Sequence, residues 1–289
     1  MPSTYPAAHE RHEPLPGADS GQRTAPLIEL RAATKRFPKT GGGIHTAIQN
    51  VNLNVAPGEF VAVVGPTGCG KSTTLSLISG LQPASDGETY VRGELVTGIP
   101  KRVGYMFQSD ATLPWQTVLD NVASGPRYQG MGRSEARDKA RVWVDRVGLA
   151  KFEKYYPHQL SGGMRKRVSL AQTLVNEPEI MLMDEPFSAL DVQTRQLMQT
   201  ELLRLWSGTG AAIVFVTHDL EEAIALADRV VVMTASPATI KAEFTVTLPR
   251  PRDVEEVRLT PEFLAIYRQV WNSLREEVDQ ARAAASLAG

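Results

Sequence analysis

The chain has almost no cysteine. Its single thiol, Cys69, has no partner for an intramolecular disulfide, so nothing calls for an oxidising compartment and a cytoplasmic setting is expected. Long hydrophobic runs are missing as well. The stretches from Ala211 to Val216 and from Val230 to Met233 are strand-sized, far short of the roughly 20 apolar residues of a spanning helix. Residues 1–26, rich in Pro, Ala, His and charge, lack the apolar core of a signal peptide and read as a disordered tail. Neither sign of charge predominates, with 31 Lys and Arg against 32 Asp and Glu, which removes any electrostatic ground for a nucleic-acid partner. Internal repeats and heptad runs are also absent, which argues against solenoid and coiled-coil architectures. A 289-residue chain with 42% hydrophobic and 22% charged residues is left, large enough to bury a substantial core.

From Leu27 the chain turns to short β-type runs broken by Gly and Pro, among them Asn50 to Val55 and Phe60 to Gly65, which read as a sheet edge leading inward. Phe60-Val61-Ala62-Val63-Val64 is apolar throughout and breaks at Gly65, the pattern of a strand buried on both faces, and a helix follows from Lys71 to about Ser79. From Thr117 to Asn176 the character is helical, with Val142, Val144 and Val147 among the apolar positions of the segment starting at Arg133. Strand-like runs return at Ile180 to Asp184, Ala212 to Thr217 and Arg229 to Thr234, with helices starting near Val192 and Leu220 between them. Parallel βα crossovers are therefore expected, in an α/β fold with a helical subdomain over about 109–176. A final amphipathic helix is expected from about Pro261 to Ala285.

Gly65-Pro66-Thr67-Gly68-Cys69-Gly70-Lys71-Ser72 satisfies the P-loop pattern and lies where the chemistry requires it, after a buried strand and before a helix. Its backbone N–H groups and the helix N-terminus can converge on phosphate oxygens, Lys71 can reach the β- and γ-phosphates, and the Ser72 hydroxyl can ligate magnesium; Thr73 follows in the same turn. The run from Ile180 to Asp184 ends in two carboxylates. Asp184 suits a magnesium contact, direct or through water, and Glu185 suits activation of a water molecule.

Leu160-Ser161-Gly162-Gly163-Met164 resembles the signature motif of the ATP-binding cassette (ABC) ATPases, and the chain is similar to that family over roughly Leu27 to Thr247. The resemblance implies a RecA-like P-loop NTPase core with an antiparallel β edge and a helical subdomain, over 27–247, and a helical extension over 248–289. It implies ATP and Mg2+ as ligands. It further implies a head-to-tail dimer in which Ser161, Gly162 and Gly163 of one copy clamp the nucleotide held by the other. Gln108 looks like the Q-loop glutamine that contacts magnesium and the attacking water, and His218 like the switch histidine at the γ-phosphate. Asp191, in Ser188-Ala189-Leu190-Asp191, resembles the D-loop aspartate, and Phe37 resembles the aromatic that stacks on adenine. Two positions depart from the pattern: Met164 replaces a more usual glutamine, and Gln172 stands where many members carry arginine.

The segments Leu113 to Val122 and Leu248 to Asp253 look similar to importers of nitrate, taurine and alkanesulfonates. This likeness implies an ATPase subunit on the cytoplasmic face of the membrane, working with permease subunits and, indirectly, an external substrate-binding protein. Leu113-Pro114-Trp115 lies beside the expected coupling site, where it would either anchor the permease or pack locally. A soluble ABC ATPase without a transport role is the alternative reading.

Overall fold

A computed structural model describes residues 25–39 and 41–288, with side chains placed as far as residue 281. The disorder expected for 1–26 falls, up to residue 24, outside the described residues.

Two sheets carry the fold. Strands β1 (Ile28–Pro38), β2 (Ile44–Val55), β4 (Asp86–Val91) and β5 (Glu94–Leu95) form an antiparallel sheet in the order β2-β1-β4-β5. The second sheet contains β3 (Phe60–Val64), β6 (Val103–Met106), β7 (Ile180–Asp184), β8 (Ala212–Val216), β9 (Arg229–Met233) and β10 (Ile240–Thr245), in the order β10-β9-β3-β8-β7-β6. All its pairings are parallel except β10 on β9. The antiparallel strands expected at a sheet edge thus make a sheet of their own, touching the parallel one through an isolated bridge between Ile48 and Ala238.

Strands buried on both faces read as unbroken apolar runs, and β3, β7 and β8 are of this kind. Their alternate side chains divide between two cores. Phe60, Ala62 and Val64 join the larger cluster, beneath the helices, while Val61 and Val63 join the cluster shared with the antiparallel sheet. Helix α1 (Lys71–Ile78) packs in the second cluster through Leu75, Leu77 and Ile78.

Helices α2 (Val118–Tyr128), α3 (Arg133–Arg146) and α4 (Gly162–Leu174) fill the stretch between β6 and β7, and α5 (Val192–Trp206) and α6 (Leu220–Leu226) make the later crossovers. In α3 the buried side chains are Ala136, Ala140, Trp143 and Val144, whereas Val142 is 51% exposed. The expected apolar position at Val142 was wrong because residues two apart on a helix point in well-separated directions, so Val142 cannot share a face with Val144. Helix α7 (Pro261–Ala288) places Phe263, Ile266, Val270 and Leu274 in the larger core at three- and four-residue spacing. Among the described residues no helix is long and apolar enough to cross a membrane.

Candidate nucleotide site

Four parallel strands deliver the chemistry to one edge. The loop after β3 is Gly65 to Gly70, β6 is followed by Phe107 and Gln108, β7 ends at Asp184 with Glu185 next, and β8 leads through Thr217 to His218. All lie at carboxyl ends of neighbouring strands, where α/β sheets place their ligands.

The P-loop wraps tightly on itself. Lys71 is buried at the start of α1, and its ammonium donates to the carbonyls of Gly65 and Pro66 at 2.9 and 3.0 Å. Gly70, the residue before α1, has φ of 117°, and a Cβ there would lie 2.5 Å from Ile48 Cγ2 of the antiparallel sheet. Only glycine meets both conditions. Cys69 is buried, and burial pushes its thiol up despite the nearby Lys71 charge. Its side chain packs inside the turn, where a Cβ on Gly65 would lie 2.9 Å from its sulfur.

Ser72 Oγ donates to Asp184 Oδ1 at 2.8 Å, bringing together the two groups expected to serve magnesium. Burial raises the Asp184 carboxyl above its ordinary value and the adjacent Glu185 charge adds to the shift, while the Ser72 bond opposes it. Tyr105 faces the same carboxylate, and burial followed by the Asp184 charge raises its phenol. Glu185 sits at φ 42°, unusual for a residue with a side chain. Its Oε2 accepts from Gln108 Nε2 at 3.2 Å and lies 3.2 Å from His218 Nδ1. Gln108, Glu185 and His218, separated by long stretches of sequence, therefore meet at one carboxylate oxygen.

The set Ser72 hydroxyl, Asp184 carboxylate and Gln108 amide offers only hard oxygen donors. Such a set fits Mg2+, which takes few protein ligands and completes its shell with phosphate and water.

The signature residues lie elsewhere. Ser161 caps α4, its hydroxyl accepting from Met164 N at 3.3 Å. Gly162 abuts Leu190, and a Cβ on Gly163 would lie 2.5 Å from Thr194 Cγ2. Asp191 caps α5 by accepting from Thr194 N at 3.0 Å. Within one chain the signature and the D-loop therefore pack on each other. Phe37 is half-buried near the turn end of the β1–β2 hairpin, paired with His45, with Lys35 Nζ 5.2 Å from its ring centre.

Three groups escape a reading of motifs. Lys166 is buried in α4 and donates to the Gln108 carbonyl at 2.7 Å, and Arg165 pairs with Asp110 at 2.8 Å, so the signature helix grips the Q-loop. A lysine at a buried helical position is the sequence signal that could have flagged the first. Tyr105, beside Asp184, carries no such signal. Gln172, one of the two departures, bonds Asn121, which is fully buried and holds both the N–H and the carbonyl of Leu113. Met164, the other departure, is half-buried against the larger core.

A cleft of about 760 Å³ opens beside the P-loop. One side is formed by Gly65 to Thr67 and His218 to Glu221, the other by Tyr267, Trp271 and Leu274 of α7.

Comparison with known proteins agrees with this geometry. The ABC transporter family model matches residues 48–188. An uncharacterized ABC transporter ATP-binding protein of Methanocaldococcus jannaschii is 44% identical over 251 residues, 87% of this chain and 92% of that protein. A nitrate import ATP-binding protein of Synechocystis is 40% identical over 265 residues, covering 90% and 99%. An aliphatic sulfonates import ATP-binding protein of Bacillus cereus is 40% identical over 225 residues, covering 78% and 88%. Among solved structures, the dimeric post-hydrolysis state of the ATP-binding cassette MJ0796 bound to ADP and Pi superposes with a TM-score of 0.68 at 32% identity, over 77% of this chain and all of that one. With relatives 40–44% identical to it over most of their own length, the chain belongs to the ABC transporter family, among its ATP-hydrolysing cassettes.

Proposed function

We propose that this ATPase drives an importer of a small anion such as nitrate, taurine or an alkanesulfonate, as two copies bound beneath a membrane permease. The convergence of Gln108 and His218 on Glu185, next to the Ser72–Asp184 pair, is the observation that carries the hydrolytic half. The transport half rests on likeness to import subunits for nitrate and aliphatic sulfonates.

In this reading the P-loop, from Gly65 to Thr73, cradles the phosphates, and Phe37 stacks on adenine. Lys71 turns from its own loop carbonyls to the β- and γ-phosphates. Ser72, Asp184 and Gln108 would hold Mg2+, which would supply charge neutralisation at the phosphate oxygens. Glu185 takes the proton of the attacking water, and Gln108 and His218 keep its carboxylate aimed. Ser161, Gly162 and Gly163 face the γ-phosphate of the second copy's nucleotide, with Asp191 at the crossing. The N-terminus of α4 contributes unpaired N–H groups and a positive dipole end for that anion. The cassette comprises 27–247 with the helical subdomain, and 248–289 is a helical extension whose α7 packs into the cassette's larger core.

On the helical subdomain Trp115 is 71% exposed, on a loop pinned at Leu113 and Gln116 by Asn121. A rigid, outward tryptophan suits a permease contact on the cytoplasmic face. The external binding protein that selects the anion would act through that permease.

The test begins with affinity purification from detergent-solubilised membranes. A co-purifying multi-spanning permease, and ATPase activity stimulated in its presence, is the expected result. A protein that stays permease-free yet hydrolyses ATP would overturn the transport reading and leave the soluble ATPase. In gel filtration with ATP, Glu185→Gln should elute as a dimer and the wild type with ADP as a monomer.

A further inference from the structure

His218 projects from a turn whose two flanking residues are tied down from beneath. Thr217 is 2% exposed; its hydroxyl donates to Glu222 and accepts from Asp219 N at 3.0 Å. Asp219 caps α6 by accepting from Glu221 N and Glu222 N at 2.9 and 3.2 Å. Glu222 is itself buried, and its second oxygen accepts from Gln199 Nε2 at 2.9 Å. Gln199 is fully buried in α5, and its Oε1 accepts from the Arg258 guanidinium at 2.9 Å.

With Glu222 ionised, the direction of every bond in this chain is fixed. Arginine only donates, so Gln199 must offer its oxygen to Arg258 and its nitrogen to Glu222. A carboxylate has no proton to offer, so the Thr217 hydroxyl, which accepts from Asp219 N, gives its one proton to Glu222. Two donor paths therefore end on Glu222, one from the C-terminal segment and one from the histidine turn. Only a carboxylate accepts on both oxygens; an amide accepts on one side alone and would leave the buried Thr217 hydroxyl proton without an acceptor.

We infer that Glu222 is a positioning residue for hydrolysis, holding the Thr217–His218–Asp219 turn so that His218 meets Glu185, and linking that turn to Arg258 through Gln199. The inference rests on the proposed role of His218 in keeping the Glu185 carboxylate aimed. Glu185 lies within the 48–188 stretch matched by the family model, whereas every residue of this chain of bonds, from Gln199 to Arg258, lies beyond it. A second tie runs from the D-loop: Arg195 donates to Leu190 O at 3.0 Å and lies 3.5 Å from Asp219.

The experiment is a double-mutant cycle on the full-length protein, with ATPase rates at saturating ATP and under single-turnover conditions. Glu222→Gln should lower kcat roughly tenfold with KM for ATP within about twofold, the split of a group acting in the transition state. Added to His218→Ala, it should cost nothing further, because residues acting as one unit are not additive. Thr217→Val should match Glu222→Gln, while Thr217→Ser, which keeps the hydroxyl, should retain wild-type kcat. The Thr217 pair decides the matter if Glu222→Gln fails to fold. Multiplicative losses in the cycle, or a Thr217→Val enzyme with native kcat, would overturn the positioning inference and leave His218 where it is. If His218→Ala keeps full kcat, the assignment of His218 falls first and the inference with it.

Discussion

Glu221 and Glu222 are chemically identical neighbours with opposite fates. Glu221 is exposed, whereas Glu222 is 4% exposed and accepts two side-chain hydrogen bonds. Burial raises the Glu222 carboxyl above its ordinary value, against the bonds from Thr217 and Gln199. The unfolded chain releases this proton first, near pH 4.3. Stability from this group is therefore fully present below that pH and is lost as pH rises through the folded value. The difference in melting temperature between wild type and Glu222→Gln should accordingly move in favour of the wild type as pH falls from 7 toward 5. A pH-independent difference would contradict the raised carboxyl.

Sequence exposes the residues whose chemistry is contiguous: the P-loop, the paired carboxylates and the signature each announce themselves within a few positions. Glu222 is hidden because nothing local separates it from Glu221. Only the fold brings Gln199 and Arg258 to it. Tyr105 stands next to Asp184 by strand pairing alone and is hidden for the same reason.

At the scale of elements, the wedge of α4 against α5 is set by a missing side chain. A Cβ on Gly163 would meet Thr194 Cγ2 at 2.5 Å. Gly163→Ala should therefore destabilise the protein by about 1–3 kcal/mol, the usual cost of overpacking. Thr194→Ser removes the obstructing methyl and keeps the amide that Asp191 caps, so the double variant should regain most of the loss in thermal melts. The loop before α2 makes a complementary case. Trp115→Ala, at an exposed position, should leave the melting temperature unchanged while reducing permease recovery. Asn121→Ala, which removes the buried amide bonded to Leu113 and Gln116, should lower stability by about 1–3 kcal/mol.

Strands were the most legible elements, since two-sided burial leaves an apolar run with nothing else to be: β7 begins and ends where the sequence places it. Helical faces were less so. In α3 Val144, and just after it Val147, are buried as expected, but Val142 is exposed and Ala136, Ala140 and Trp143 complete the buried face, because angular spacing and not residue type decides which side faces inward.

For the molecule as a whole, α7 is part of the core. Phe263, Ile266, Val270 and Leu274 are buried in the same cluster as β3 and α4. At about 1.5–3 kcal/mol per buried side chain, removing them would consume most of the 5–15 kcal/mol by which domains are typically stable. A chain cut after residue 260 should be insoluble or lack a cooperative melt, as solubility and circular dichroism would report. The sequence showed this helix but not its depth: a terminal amphipathic segment looks the same whether its stripe meets the same chain's core or another surface. The two-sheet arrangement was equally out of reach, because hairpin and crossover signals fix pairing within a sheet and say nothing of where one sheet stops.

The cleft beside the P-loop joins two walls of different kinds. One wall is Gly65 to Thr67 of the P-loop with His218 to Glu221, and the other is Tyr267, Trp271 and Leu274 of α7. A ligand that imitates only the phosphates would meet the first wall alone. A compound seated against both would also grip the indole and phenol of α7, and would so clamp the C-terminal helix to the P-loop.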